Sequence, residues 1–283
     1  MKIGINLLLW TPSVTEEHFG LFEELKKLGF DGVEIPMFDG DENRYRKLGQ
    51  ALKDNGMGSG TCSVIPDEEH NPISSDAKNR QAGIDYMKWV IDCSAAMGSE
   101  IIAGPFYQPL AQFSGQPPTE KERETGIEAH RVIADYAQQA NILLAVEFLN
   151  RFECYFLNTM HDAAEYARKV DRPNFGVLYD TFHANIEEKD PVACITKDID
   201  MISHVHVAEN DRGTPGTGHV PWAETFKALR KGGYDKWLVI EAFSRALPEL
   251  AAATRIWRDV SGSYEEVCTQ GYKLITDLWA KAG

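Results

Sequence analysis

Short apolar runs rich in β-branched residues alternate along the chain with longer stretches in which apolar positions recur at helical spacing. The runs predict strands over 3–9, 32–35, 57–62, 100–103, 143–147, 175–179, 202–206 and 237–241. Between the first two, Phe19, Leu21, Phe22, Leu25 and Leu28 mark a helix over 16–28, stopped by Gly29. Further helices are expected over 44–55, 76–97, 119–140, 161–170, 222–231 and 264–282, with Gly56, Gly98 and Gly232 as stops. Strand followed by helix, repeated about eight times over, is the pattern of a parallel sheet with crossover helices. The eightfold count favours a closed (β/α)8 barrel of the α/β class over an open sheet.

A doubly wound nucleotide-binding sheet would carry a glycine-rich turn after its first strand. Here that turn reads Trp10-Thr11-Pro12-Ser13. The later segment from Gly213 to Gly218 lacks the Lys-Ser/Thr of a P-loop and is expected to be a mobile loop. No linker or shift of composition divides the chain, so one barrel domain over 1–283 is expected. Two long insertions, 105–118 and 243–262, follow predicted strand ends. That is the side on which a barrel carries its active-site loops.

Charge narrows the partners. With 29 Lys and Arg against 43 Asp and Glu the net charge is −14, which repels phosphate backbones and anionic headgroups. Neither a nucleic acid nor a membrane is expected as a partner. The first apolar run is too short for a signal sequence, and no apolar stretch is long enough to span a bilayer. Cys62, Cys93, Cys154, Cys194 and Cys268 are odd in number, scattered and free of CxxC spacing, as expected of reduced thiols in a cytoplasmic protein.

Four successive predicted strands end in residues that can bind a metal: Glu147, Asp180, His206 (with His204 two residues before it) and Glu241. Each follows an apolar run and so sits at the rim of a buried core. Unpaired charges there cost several kcal/mol, and a compensating cation is expected. A mostly oxygen donor set suits one divalent ion such as Mn²⁺, Mg²⁺ or Co²⁺ better than thiolate-bound zinc. Taken singly, each residue also has a plain structural reading. Glu147 can pair with Arg151, Asp180 can cap the turn at Thr181, either histidine can be a satisfied core residue, and Glu241 can anchor the following loop. Four at consecutive strand ends point to a site.

The strings Glu147-Phe148-Leu149-Asn150-Arg151-Phe152-Glu153, Tyr179-Asp180-Thr181-Phe182-His183, His204-Val205-His206 with Arg212-Gly213, and Ile240-Glu241-Ala242-Phe243 resemble the ketose 3-epimerase family. That family, which includes D-tagatose, D-allulose and L-ribulose 3-epimerases, lies within the xylose-isomerase-like TIM barrels, and the resemblance covers essentially the whole chain. It implies that Glu147, Asp180, His206 and Glu241 are the metal ligands, with Glu147 and Glu241 also the catalytic pair. It implies that Glu153, His183 and Arg212 hold the O1–O3 end of the sugar. A homodimer or homotetramer is implied as well. The first strand departs from the pattern: several members carry an aromatic residue at the position of Asn6 and a Trp near Val14, where the wall around the sugar is shaped. Asn6 is therefore expected to contact substrate, and the preferred ketose stays open.

The chemistry agrees. Epimerising C3 of a ketose removes a proton beside the C2 carbonyl and returns one to the other face. This calls for a divalent Lewis acid and two carboxylates that exchange the roles of base and acid. Trp10, Phe106, Tyr107, Phe243 and Trp257 are candidates for an apolar wall or for ordinary packing. The alternatives on the same barrel are an aldose–ketose isomerase, a hydroxypyruvate isomerase or an inosose dehydratase. A DNA-repair endonuclease would need more histidine ligands and a basic face. A non-catalytic binding protein leaves the Glu147–Glu241 pair unexplained.

Overall fold

A computed structural model describes all 283 residues. In chain order the elements are β1 Lys2–Asn6, α1 Phe19–Leu28, β2 Gly32–Pro36, α2 Glu42–Asp54, β3 Gly58–Cys62, α3 Ala77–Met97, β4 Ile101–Gly104, α4 Glu120–Gln139, β5 Leu143–Glu147 and α5 Met160–Val170. They continue as β6 Phe175–Asp180, α6 Thr181–Glu187, α7 Pro191–Asp198, β7 Ile202–Val207, α8 Trp222–Lys231, β8 Trp237–Ile240, α9 Pro248–Thr254 and α10 Tyr264–Lys281. The eight strands pair in parallel in sequence order, and β8 closes on β1 through the register Gly4 to Val239 and Ile5 to Ile240. The expected (β/α)8 TIM barrel is the observed fold.

Alternation along each strand divides the apolar residues between two regions. Leu144 and Val146 of β5, Val177 and Tyr179 of β6, Val205 and Val207 of β7, and Leu238 and Ile240 of β8 join the large core against the helices. Residues of the other parity, Ile101, Ala103, Ala145 and Leu178, form a small separate cluster inside the barrel, with Leu143 packed against it. Glu147, Asp180, His206 and Glu241 share this second parity. The side chains at the strand ends therefore turn toward the barrel axis.

Differences from the expected elements have local causes. The first strand stops at Asn6 because its side chain accepts the Leu8 N–H at 2.9 Å and starts a 3₁₀ turn over Leu7–Leu9. The helices α6 and α7 begin at Asp180 and Asp190, whose carboxylates cap the following N–H groups, with Pro191 in the first turn of α7. The insertion 243–262 carries α9. At the end of α1, Gly29 adopts φ +108°, the left-handed stop expected of it. At the end of α8, Gly232 stays right-handed, and Gly233 at φ +81° makes the reversal instead. No helix is long and apolar enough to cross a membrane.

The first insertion is anchored through a buried histidine. His130 of α4 lies 2.6 Å from the Tyr166 hydroxyl of α5 and 3.2 Å from the Phe106 carbonyl. Burial pushes its pKa down to about 4. The unfolded chain takes up a proton below about 6.5, while the folded imidazole stays neutral until about 4, so this group's stabilisation is lost as pH falls across that window. Lowering the pH from neutral to ~5 should cost about 2 kcal/mol through this residue. Urea unfolding at both pH values should show a loss smaller by about that amount in His130→Gln. Equal losses in both proteins would refute the assignment.

Candidate active site

The four strand-end residues converge. Glu147 closes β5, Asp180 closes β6, His206 is the next-to-last residue of β7 and Glu241 follows β8 directly. His206 Nδ1 lies 3.4 Å from Glu241 Oε1, 3.8 Å from Asp180 Oδ2 and 4.0 Å from Glu147 Oε1. Asp180, His206 and Glu241 each offer a ligand atom within 4.8 Å of the others, and so do Glu147, Asp180 and His183. All are buried.

Two atoms at this point have no partner in the protein. Asp180 Oδ1 accepts the Phe182 N–H at 2.6 Å, the cap of α6, and leaves Oδ2 unpaired. The sequence offered capping and metal binding as alternatives for Asp180. One oxygen caps the helix, and the other stays free for a cation. His206 Nε2 bonds Glu34 Oε1 at 2.8 Å, and its Nδ1 is likewise unpaired. Orphaned buried acceptors beside three carboxylates fit a divalent cation.

The electrostatics give the same reading. Burial, and repulsion from Glu241 and Asp180, raise the Glu147 carboxyl well above its ordinary pKa; burial, Asp180 and Glu34 push Glu241 up to about 7. His206, although burial opposes it, is held well above the usual imidazole range by the carboxylates of Glu34 and Glu241. Without a cation, this cluster holds protons in its place.

Arg212 forms the other side of the site. Its guanidinium lies between the rings of Phe182 and Phe243, at 4.2 and 4.8 Å from their centroids. Its Nη2 is 2.8 Å from His183 Nε2 and 3.8 Å from Glu153 Oε1, and its Nη1 is 3.8 Å from Glu241 Oε2. The Asn150 N–H donates to His183 Nδ1 at 3.0 Å, and the Asn150 amide donates to Glu153 at 2.8 Å. Burial and the nearby Arg212 charge push His183 down to about 4, so its ring is neutral at physiological pH. Arg212 Nε is buried and unpaired. Donors of this kind suit the oxygens of a polyol. Glu153, His183 and Arg212 thus stand together beside the carboxylates.

Asn6, expected as a sugar contact, is tied into the hydrogen bonds that lead through Glu34 to His206. It is buried, with its amide engaged at both ends: Nδ2 donates to Glu34 at 2.7 Å and Oδ1 accepts from Leu8. Arg151 pairs with Glu187 at 2.8 Å rather than with Glu147. Among the aromatic candidates, Phe243 alone stacks on Arg212. Phe106 packs on His130 and Phe175, Tyr107 meets Cys154, Trp10 meets Tyr264, and Trp257 is exposed. Phe243 also joins Leu8, Cys62, Ala251 and Ile256 in an apolar cluster that ties α9 to the strand ends of β1, β3 and β8.

The segment from Gly213 to Gly218 is a correction to the expected mobile loop. The fully buried Glu209 carboxylate accepts from the Gly216 N–H at 2.7 Å, Asn210 N–H at 3.0 Å, Val220 N–H at 3.2 Å and Trp222 Nε1 at 3.0 Å. Four donors gather the loop around one charge, and the Arg212 N–H bonds the Glu209 carbonyl at 2.9 Å. Arg212 itself holds φ +62°, costly for a residue with a side chain and tolerable in a loop so constrained. Sequence reading missed both Glu209 and Glu34. For Glu34 a signal existed: a lone carboxylate inside the otherwise apolar strand Gly32–Pro36.

Residues 22–261 match the family described as xylose isomerase-like TIM barrel. The chain is 32% identical over 279 residues to a probable ketose 3-epimerase of Synechocystis sp., covering 99% of this chain and 97% of that protein. It is 31% identical over 280 residues to a ketose 3-epimerase of Arthrobacter globiformis, covering 98% and 96%. A solved structure of L-ribulose 3-epimerase superposes with a TM-score of 0.93 at 26% identity, covering 99% of this chain and 95% of that one. The chain belongs to the ketose 3-epimerase family of the xylose isomerase-like TIM barrels.

Proposed function

We propose that this protein epimerises C3 of free ketoses, ketohexoses or ketopentoses, with one divalent ion held by Glu147, Asp180, His206 and Glu241. The observation that carries the reading is the approach of the Glu147 and Glu241 carboxylates to one unpaired nitrogen, His206 Nδ1, at 4.0 and 3.4 Å. Mn²⁺ is the first choice for the ion, with Mg²⁺ and Co²⁺ next; three carboxylates and one imidazole suit any of these better than a thiolate-bound metal. When bound, the ion supplies Lewis-acid polarisation of the C2 carbonyl, which makes the C3 proton acidic enough to leave.

The remaining steps belong to the side chains. One of Glu147 and Glu241 takes the C3 proton. The C–H electron pair moves into the C2–C3 bond and the carbonyl electrons onto O2, giving an enediolate. The other carboxylate returns a proton to C3 from the opposite face, and the electrons move back. Because either epimer is a substrate, the two residues exchange roles. Arg212, His183 and Glu153 orient the O1–O3 end, and Arg212 Nε is a free buried donor for an oxygen. Phe182 and Phe243 shield the guanidinium from water, which strengthens its pull on that oxygen. Asn6 acts through Glu34, beneath the reacting atoms. The reading includes a cytoplasmic homodimer or homotetramer; Phe152 and Trp257, each about 70% exposed, are large apolar surfaces suited to a second copy.

Incubating Mn²⁺-loaded protein separately with D-tagatose, D-fructose, D-allulose and L-ribulose tests the reaction class. NMR of the products should show the C3 epimer from at least one of them. Aldose products would assign an aldose–ketose isomerase instead. No turnover of any of the four, with metal bound, would remove free ketoses of this kind as substrates.

A further inference from the structure

We infer that Glu34 is a positioning residue that fixes the tautomer of His206 and so aims its Nδ1 lone pair at the metal. The inference rests on the reading of His206 as a ligand, and it concerns a residue that touches neither metal nor sugar in that reading. Glu34 sits in β2, fully buried and in register with Asn6 of β1. Its Oε1 takes the Asn6 amide at 2.7 Å and His206 Nε2 at 2.8 Å; its Oε2 takes His204 Nε2 at 2.7 Å.

A neutral imidazole has one N–H. An ionised carboxylate can only accept, so the hydrogen of His206 must be on Nε2, and Nδ1 must carry the lone pair. That nitrogen is the one left unpaired among the oxygens of Glu241, Asp180 and Glu147. The opposite tautomer would turn an N–H into the place a cation needs. Nor can Glu34 drift, since Asn6 grips Oε1 and is itself held by the Leu8 N–H.

A purely structural role explains this arrangement less well. A buried carboxylate often stabilises a fold no better than a well-packed apolar side chain of the same size. The cost is understandable where the carboxylate makes a ligand more basic and holds it to one orientation, a common arrangement behind metal-bound histidines. His204, donating to the second oxygen, removes the lone pair that would otherwise compete for the His206 proton.

Two measurements test this without any sugar. The first is ¹⁵N NMR of the Mg²⁺-loaded, histidine-labelled protein. It should show His206 protonated at Nε2 and bare at Nδ1; the Nδ1–H tautomer would overturn the inference whether or not any variant folds. The second is Co²⁺ titration, followed by visible absorption, of the wild type, Glu34→Met and Glu34→Gln. Glu34→Met removes both carboxylate acceptors at similar volume, leaving only a weakly accepting sulfur, and should weaken binding by about 10–100-fold. Glu34→Gln keeps a carbonyl for His206 and Asn6 and turns its amide to His204, so it should recover most of that loss. A merely structural residue would instead lower stability in both variants and leave Co²⁺ affinity unchanged, which would overturn the inference. Two ions bound per wild-type chain, the second lost in Glu34→Met, would make Glu34 a ligand and overturn it as well. A wild type that binds no Co²⁺ would remove the metal reading itself, and this inference with it. Failure to turn over ketoses would leave these readouts untouched.

Discussion

Epimerisation in D₂O will place deuterium at C3 of the product and leave C1 unlabelled. If Glu147 takes the proton from one face and Glu241 delivers one to the other, the delivered hydrogen comes from a carboxyl that has exchanged with solvent between turnovers. A hydride shift between carbons would carry the original hydrogen along, and an aldose–ketose isomerase would act between C1 and C2. Glu147→Gln and Glu241→Gln keep the volume and an oxygen for the metal but remove the base. Each should lower the epimerisation rate by at least about 10²–10⁴-fold, the contribution typical of a positioned acid–base group. The surviving carboxylate in each variant should still wash deuterium into unreacted substrate of the one hand it faces. The two variants therefore label opposite epimers, which tells two bases from one. A product fully epimerised yet free of deuterium at C3 would defeat the two-carboxylate mechanism whatever the metal site proved to be.

These predictions rest on residues that the sequence presents at regular places, and the reasons are local. The strand over 143–147 and the helix over 222–231 occur with the bounds their patterns predict. An apolar run ending in a carboxylate at a barrel strand end has one face to project from. Glu147, Asp180, His206 and Glu241 stand out in the sequence because each falls within one residue of the end of its own strand. Their convergence follows once the eight strands close. What escaped depends on contacts across the barrel. Glu34 meets His204 and His206 from about 170 residues away in sequence, and nothing in its own neighbourhood announces two imidazole partners. Asn6 reads as an edge-of-pocket residue until Glu34 is known to take its amide. The glycine-threonine segment after Arg212 looks flexible by composition. Its order comes from Glu209, one buried charge that needs four N–H donors from a chain able to fold tightly around it.

Chelation should abolish activity and lower Tm together. At metal concentrations near 100 times Kd, binding stabilises the fold by about 2.7 kcal/mol, or about 4–5 °C for a chain of this size. The metal-free protein must hold Glu147, Asp180 and Glu241 together without a cation, and burial with mutual repulsion raises Glu147 well above its usual pKa and Glu241 up to about 7. For a carboxyl raised on folding, the folded state keeps a proton that the unfolded chain has released above about 4.5, so ν_U is below ν_N and stability falls as pH rises through 7. Metal-bound ligands are already deprotonated, so the loaded protein escapes this loss. The Tm difference between loaded and chelated protein should therefore widen from pH ~5 to pH ~7.5. Calorimetry at the two pH values, with residual metal measured in the same samples, reads both terms. A chelated, metal-free protein with full epimerase activity and unchanged Tm at both would end the case for a metal at these four residues.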